Sequence, residues 1–112
     1  MRIIRTSRFD RRAKWAGLGD DDINVLLRAL VERPEVGTVI RGSGGARKVR
    51  VRLAGRGKSG GARVVYLFGG EDIPIFVLAI FAKNEKANLT AAERNALGKM
   101  VAGILDDYRR RK

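Results

Sequence analysis

The chain has 112 residues, with 24 Lys or Arg against 12 Asp or Glu, a formal charge of +12, and 45% hydrophobic residues. That length suits a single domain spanning 1–112 with one core, and the composition is that of a folded chain rather than a disordered one. With neither cysteine nor histidine, disulfides and thiolate metal sites are excluded, and any catalysis falls to Lys, Arg, Tyr, Ser, Thr, Asp or Glu.

The charge predicts a polyanionic partner. The opening MRIIRTSRFDRR is too polar for a signal peptide, and the longest apolar run, Ile73 to Ala82, is too short to span a bilayer. A cytoplasmic protein with no membrane partner is expected.

In chain order, Met1 to Arg5 reads as a short strand. Thr6 or Ser7 caps a helix carrying Phe9, Ala13 and Ala16 on one face, which Gly17 and Gly19 end. Trp15 on this helix is expected to pack in the core rather than stack on RNA. Asp20 to Asp22 are expected to cap a second helix. Its Ile23, Leu26, Leu27, Leu30 and Val31 follow i, i+3, i+4, i+7, i+8, and Pro34 stops it.

Strand signals begin at Gly37 with a short TVI. KVRVRL alternates, with Val49, Val51 and Leu53 on one face and Lys48, Arg50 and Arg52 on the other. RVVYLF is a further strand, and IPIFVLAIFA has the all-apolar character of a strand covered on both faces. Thr90 to Glu93 fits a capping box, opening a last helix with Leu97, Met100, Val101, Ile104, Leu105 and Tyr108 in a stripe. The order predicts an α+β layer built on a small twisted sheet.

Residues 41–63 hold eight Lys or Arg, seven of the fourteen glycines and no acid. Gly57-Lys58-Ser59 resembles the end of a phosphate-binding loop, but Arg52 stands where its first glycine belongs, and a strand follows instead of a helix. Gly55, Gly57 and Gly60 match G-x-G-x-x-G with the same defect, since no helix start is there to hold a pyrophosphate. A hairpin fits better, with its glycines at the turn and Lys58 at the tip.

Lys48, Arg50 and Arg52 would stand roughly 6–7 Å apart, a spacing that can follow a phosphodiester chain. The bland alternative is a charged face that blocks sheet aggregation. The acids show no converging set for a two-metal nuclease. Tyr66 reads either as an RNA contact, donating to phosphate or stacking on a base, or as a half-buried sheet tyrosine.

The GSGG-x-RK-x-R stretch, the GKSGG-x-R-x-x-Y hairpin, FAKNE and LT-x-x-E together resemble the RelE/ParE toxin superfamily, with HigB-type RelE toxins the nearest in pattern. The resemblance covers nearly the whole chain. It implies a small curved, mainly antiparallel sheet, two N-terminal helices packed on it and a C-terminal helix. It also implies a toxin of a type II toxin–antitoxin module, acting as a ribosome-dependent mRNA endoribonuclease that inhibits translation. The RNA's own 2′-OH attacks the adjacent phosphate, with neither metal nor cofactor. The partners implied are mRNA on the ribosome and a cognate antitoxin, of HigA-type helix-turn-helix form in this subgroup.

Carried over by motif, Lys48, Arg50, Arg63 and Lys83 take the catalytic positions. Arg47, Arg52, Arg56, Lys58, Tyr66 and Asn84 take RNA-binding ones. Asn84 stands where the family has a second cation, and Thr90 where some relatives have a tyrosine. A normal lysine is neutral in only about one molecule in 2,500 at pH 7, so a lysine base needs neighbouring cations to lower its pKa. Arginine suits the charge that develops on phosphate. Two alternatives remain: an inactive nucleic-acid-binding relative, and a ParE-like topoisomerase inhibitor.

Overall fold

The computed structural model describes residues 2–15, 17–52, 61–82 and 89–110. Chain order is β1 (Ile3–Arg5), α1 (Ser7–Trp15), α2 (Asp20–Glu32), β2 (Thr38–Val39), β3 (Ala46–Arg52), β4 (Gly61–Leu67), β5 (Ile75–Ala82) and α3 (Ala91–Arg110). The strands form one open sheet in the order β1-β5-β4-β3-β2. β1 runs parallel to β5, and the other pairings are antiparallel. The expected α+β architecture, with two N-terminal helices and a C-terminal one, is therefore observed.

Local signals explain most boundaries. Thr6 caps α1, its Oγ1 accepting the Phe9 N–H at 3.2 Å. The three aspartates of α2 lie within its first turn, and the cap is Gly19, with no side-chain capping bond. This corrects the expectation that Asp20 to Asp22 supply the cap; they act through their charge at the positive helix end. Thr90 and Glu93 do form the reciprocal box. The Thr90 N–H donates to Glu93 Oε1 at 2.9 Å, and the Glu93 N–H to Thr90 Oγ1 at 3.1 Å.

Each sheet face has its own core. Phe9 and Ala13 of α1 and Ile23, Leu26 and Leu30 of α2 pack on Val51, Ala62, Val64, Tyr66, Ile75, Val77 and Ile80. On the other face, Leu97 and Val101 of α3 pack on Ala46, Val65, Leu67, Leu78 and Ala79. β5 is thus covered on both faces, as its all-apolar sequence predicts, and Pro74 precedes its first residue.

The β4–β5 ladder is irregular at one point. Val65 of β4 pairs with Ala79 but Tyr66 pairs with Val77, so β5 carries an extra residue, Leu78, at a bulge. A bulge shifts the in–out phase of every residue beyond it. Leu78 and Ala79 both face α3, and Ile80 returns to the α1–α2 side.

Where β1 ends, Thr6 and then helix α1 close the β5 edge. Thr6 Oγ1 donates to the Val77 carbonyl at 2.8 Å, and Arg12 Nε to the Ile80 carbonyl at 3.1 Å. These bonds satisfy edge acceptors that would otherwise invite another strand.

Thr90→Ala removes one half of the capping box. It is expected to cost about 1 kcal/mol, read as a lower urea midpoint at unchanged slope; an unchanged midpoint would show that the box does not stabilise α3.

Candidate nucleic-acid interface

Strand alternation divides β3. Val49 and Val51 face α1 and α2, while Lys48 and Arg50 stand exposed on the α3 side. The β3–β4 register sets Arg50 directly opposite Arg63 and Lys48 opposite Val65. Directly paired residues have Cα atoms about 4.5–5.5 Å apart, so Arg50 and Arg63 place two guanidinium-bearing chains side by side. Like charges so placed oppose folding, and a bound polyanion would relieve the cost.

This basic group lies beside the apolar patch that α3 covers. Across from Arg63 on β5 stands Phe81, half-buried and packed at the margin of the α3 core. The backbone of Arg52 continues the row, paired with Gly61. Arg56, Lys58, Lys83 and Asn84 lie outside the described residues.

Arg47 and Tyr66 do not join this face. They pair directly with each other across β3 and β4, on the α1–α2 side. Arg47 Nη1 donates to the carbonyls of Gly37 at 2.8 Å and Glu35 at 3.2 Å. The Tyr66 hydroxyl donates to the Pro34 carbonyl at 2.8 Å and accepts the Gly37 N–H at 2.9 Å. Its side chain is wholly buried, so it cannot stack on a base or reach a phosphate. Tyr66 is thus a buried sheet tyrosine rather than an RNA contact, and with Arg47 it clamps the segment leading into β2.

Gly37 fits this clamp for want of a side chain. A Cβ there would lie 2.7 Å from the Tyr66 hydroxyl and 2.9 Å from the Lys48 carbonyl, closer than atoms tolerate.

Burial pushes the Tyr66 hydroxyl above its ordinary pKa, and the Gly37 N–H and the Arg47 charge pull it partly back.

Sequence reasoning missed Phe81, whose apolar neighbours conceal which way it faces, and misplaced Trp15. Trp15 is 72% exposed rather than in the core. The Arg12 guanidinium carbon lies 5.3 Å from the Trp15 ring centre and 4.7 Å from that of Phe81. Helical spacing held the missing signal: Phe9 and Ala13 define the buried side of α1, and Trp15, two residues past Ala13, points elsewhere.

Comparison with known proteins bears on these features. The family described as "RelE toxin of RelE / RelB toxin-antitoxin system" matches residues 1–112. The chain belongs to the RelE toxin family. Among solved structures it is similar to a double mutant of the Escherichia coli toxin RelE in the free state. The two are 21% identical with a TM-score of 0.55, covering 89% of this chain and 95% of that one; at that identity the likeness shows a shared RelE fold. Among the described residues, no helix is long and apolar enough to cross a membrane.

The Tyr66 clamp in this RelE-family chain gives a pH signature. The unfolded tyrosine titrates near 10.0 and the folded one higher, so the folded state holds its proton longer. The stability due to the neutral hydroxyl is complete below about pH 10 and falls as pH rises through the folded value. Tyr66→Phe should cost about 1–3 kcal/mol at neutral pH, because Pro34 and Gly37 lose a buried partner. It should also flatten the decline above pH 10 relative to the parent, measured by urea unfolding across pH; parallel declines would show that Tyr66 does not carry this dependence.

Proposed function

We propose that this RelE-family toxin is an endoribonuclease that cuts mRNA on the ribosome and so blocks translation. The observation that supports this most is the placement of Lys48, Arg50 and Arg63 on one sheet face, with Arg50 directly opposite Arg63. A single phosphodiester can bridge two such guanidinium groups through charge-assisted, bidentate bonds.

In the proposed reaction the 2′-oxygen forms a bond to the adjacent phosphorus and the bond from phosphorus to the 5′-oxygen breaks. The 2′-proton passes to a base and a proton reaches the departing 5′-oxygen. The products are a 2′,3′-cyclic phosphate and a 5′-hydroxyl end. Arg50 and Arg63 stabilise the extra negative charge on the five-coordinate phosphate, a charge that grows toward the transition state. Lys48, with Lys83 as the candidate after β5, supplies the proton-transfer group.

A ribosome is needed because the chemistry is mostly positioning. Holding the 2′-oxygen in line with the phosphate can contribute about 7–11 kcal/mol, and a small sheet face alone orients a flexible RNA poorly. The proposed setting is the cytoplasm. The proposed antidote is a cognate antitoxin, of helix-turn-helix type if the HigB-like pattern extends to this chain.

Arg50→Ala and Lys48→Ala should each fold, since both positions are exposed and changes on exposed polar faces usually stay within about 0.5 kcal/mol; folding of Arg63→Ala, at a half-buried position, is checked by circular dichroism. Growth inhibition at equal expression should fall sharply in each. Purified toxin with programmed ribosomes should cut mRNA within codons, mapped by primer extension, leaving cyclic phosphate ends and no activity loss after EDTA treatment of the toxin. Equally fast cutting of naked RNA, or full toxicity in all three variants, contradicts the reading.

A further inference from the structure

An exposed tryptophan at the end of a basic helix is unusual enough to need a reason. α1 carries Arg8, Arg11, Arg12 and Lys14 against a single acid, Asp10, and Arg5 already engages Asp10 at 2.8 Å. Trp15 closes this helix with 72% of its surface exposed.

Its position relative to the basic face is set by a chain of contacts. Arg50 pairs with Arg63, and Arg63 with Phe81. The Arg12 guanidinium sits 4.7 Å from the Phe81 ring and 5.3 Å from the Trp15 ring. Arg12 is itself anchored, its Nε donating to the Ile80 carbonyl. The β5 bulge makes this path continuous, because if Leu78 took an ordinary place in the ladder, every later residue would change face and Phe81 would point into the α1–α2 core. Cations thus give way to a cation–aromatic stair that runs across the strands and ends at an open indole.

We propose that Trp15 is a nucleobase-stacking platform for single-stranded RNA whose backbone lies on Lys48, Arg50 and Arg63. Single-strand sites combine a cationic track for the phosphates with aromatic faces on which bases stack, whatever the sequence. Arg12 fixes the indole from one side through cation–π attraction and links it to Phe81 beside the phosphate site. The charge around Trp15 favours a polyanion over an apolar protein surface. The stacking role rests on the proposed RNA cleavage and adds to it a subsite that touches a base.

Trp15 is the only tryptophan in the chain, so its fluorescence reports the event directly. The probes are a short 2′-O-methyl oligoadenylate, which cannot be cleaved, and the same backbone without bases. The oligoadenylate should quench Trp15 and protect it from acrylamide, whereas the abasic strand should bind without quenching. Trp15→Ala should weaken oligoadenylate binding by about 5- to 150-fold and leave abasic binding unchanged, while Trp15→Phe should keep most of the affinity.

Equal quenching by the abasic strand, or unchanged oligoadenylate affinity in Trp15→Ala, overturns the stacking role and leaves the cleavage reading standing. An indole that responds to an acidic helical peptide but not to RNA overturns it in favour of a protein partner. Failure of the parent to bind either strand contradicts the stacking role, while the cleavage reading is judged by the assay with programmed ribosomes.

Discussion

The pairing of β3 with β4 is the constraint on which the rest depends. Its register sets Arg50 against Arg63 and Lys48 against Val65 on one face, and Arg47 against Tyr66 on the other. A slip of one residue would turn Lys48 and Arg50 into the α1–α2 core and move Val49 and Val51 out of it. The Tyr66 hydroxyl, held between the Pro34 carbonyl and the Gly37 N–H, ties that register to the chain entering β2. A buried polar group with both partners in place is costly to displace. The structural face therefore fixes the geometry of the charged one, and the two roles fall to neighbouring residues of opposite parity.

β5 extends this division by breaking the alternation. Leu78 is the extra residue that lets two successive side chains, Leu78 and Ala79, fill the core under α3. Beyond it, Phe81 stands beside Arg63. The same stretch is sealed at its edge by Thr6, which caps α1, and by Arg12 within that helix. Arg12 thus has two tasks: it satisfies a carbonyl that β1 is too short to reach, and it holds Phe81 and Trp15 together.

Local rules decide what the sequence makes legible. The alternation of KVRVR gives the faces of Lys48 and Arg50, the i, i+3, i+4 spacing gives the buried side of α2, and Thr90 with Glu93 gives the start of α3. Arg47 and Lys48 read as one basic run, although strand parity separates them; charge density hides the geometry. Tyr66 cannot be settled locally, because its burial depends on Pro34 and Gly37, some thirty residues earlier. The direction of Phe81 depends on a bulge defined only by pairing with another strand. Trp15 misleads when residue type is weighed above helical position.

The division of β3 and β4 into a structural face and a proposed RNA-binding face is tested most directly by the salt dependence of binding to a non-cleavable single-stranded RNA. Each cation that contacts a phosphate should contribute about 0.7 to the slope of log K against log salt. Arg50→Ala and Arg63→Ala should each reduce the slope by about that amount, whereas Arg47→Ala, which alters the clamp side, should leave it unchanged. A slope untouched in the Arg50 and Arg63 variants, or lowered in the Arg47 variant, would contradict the assignment of the faces.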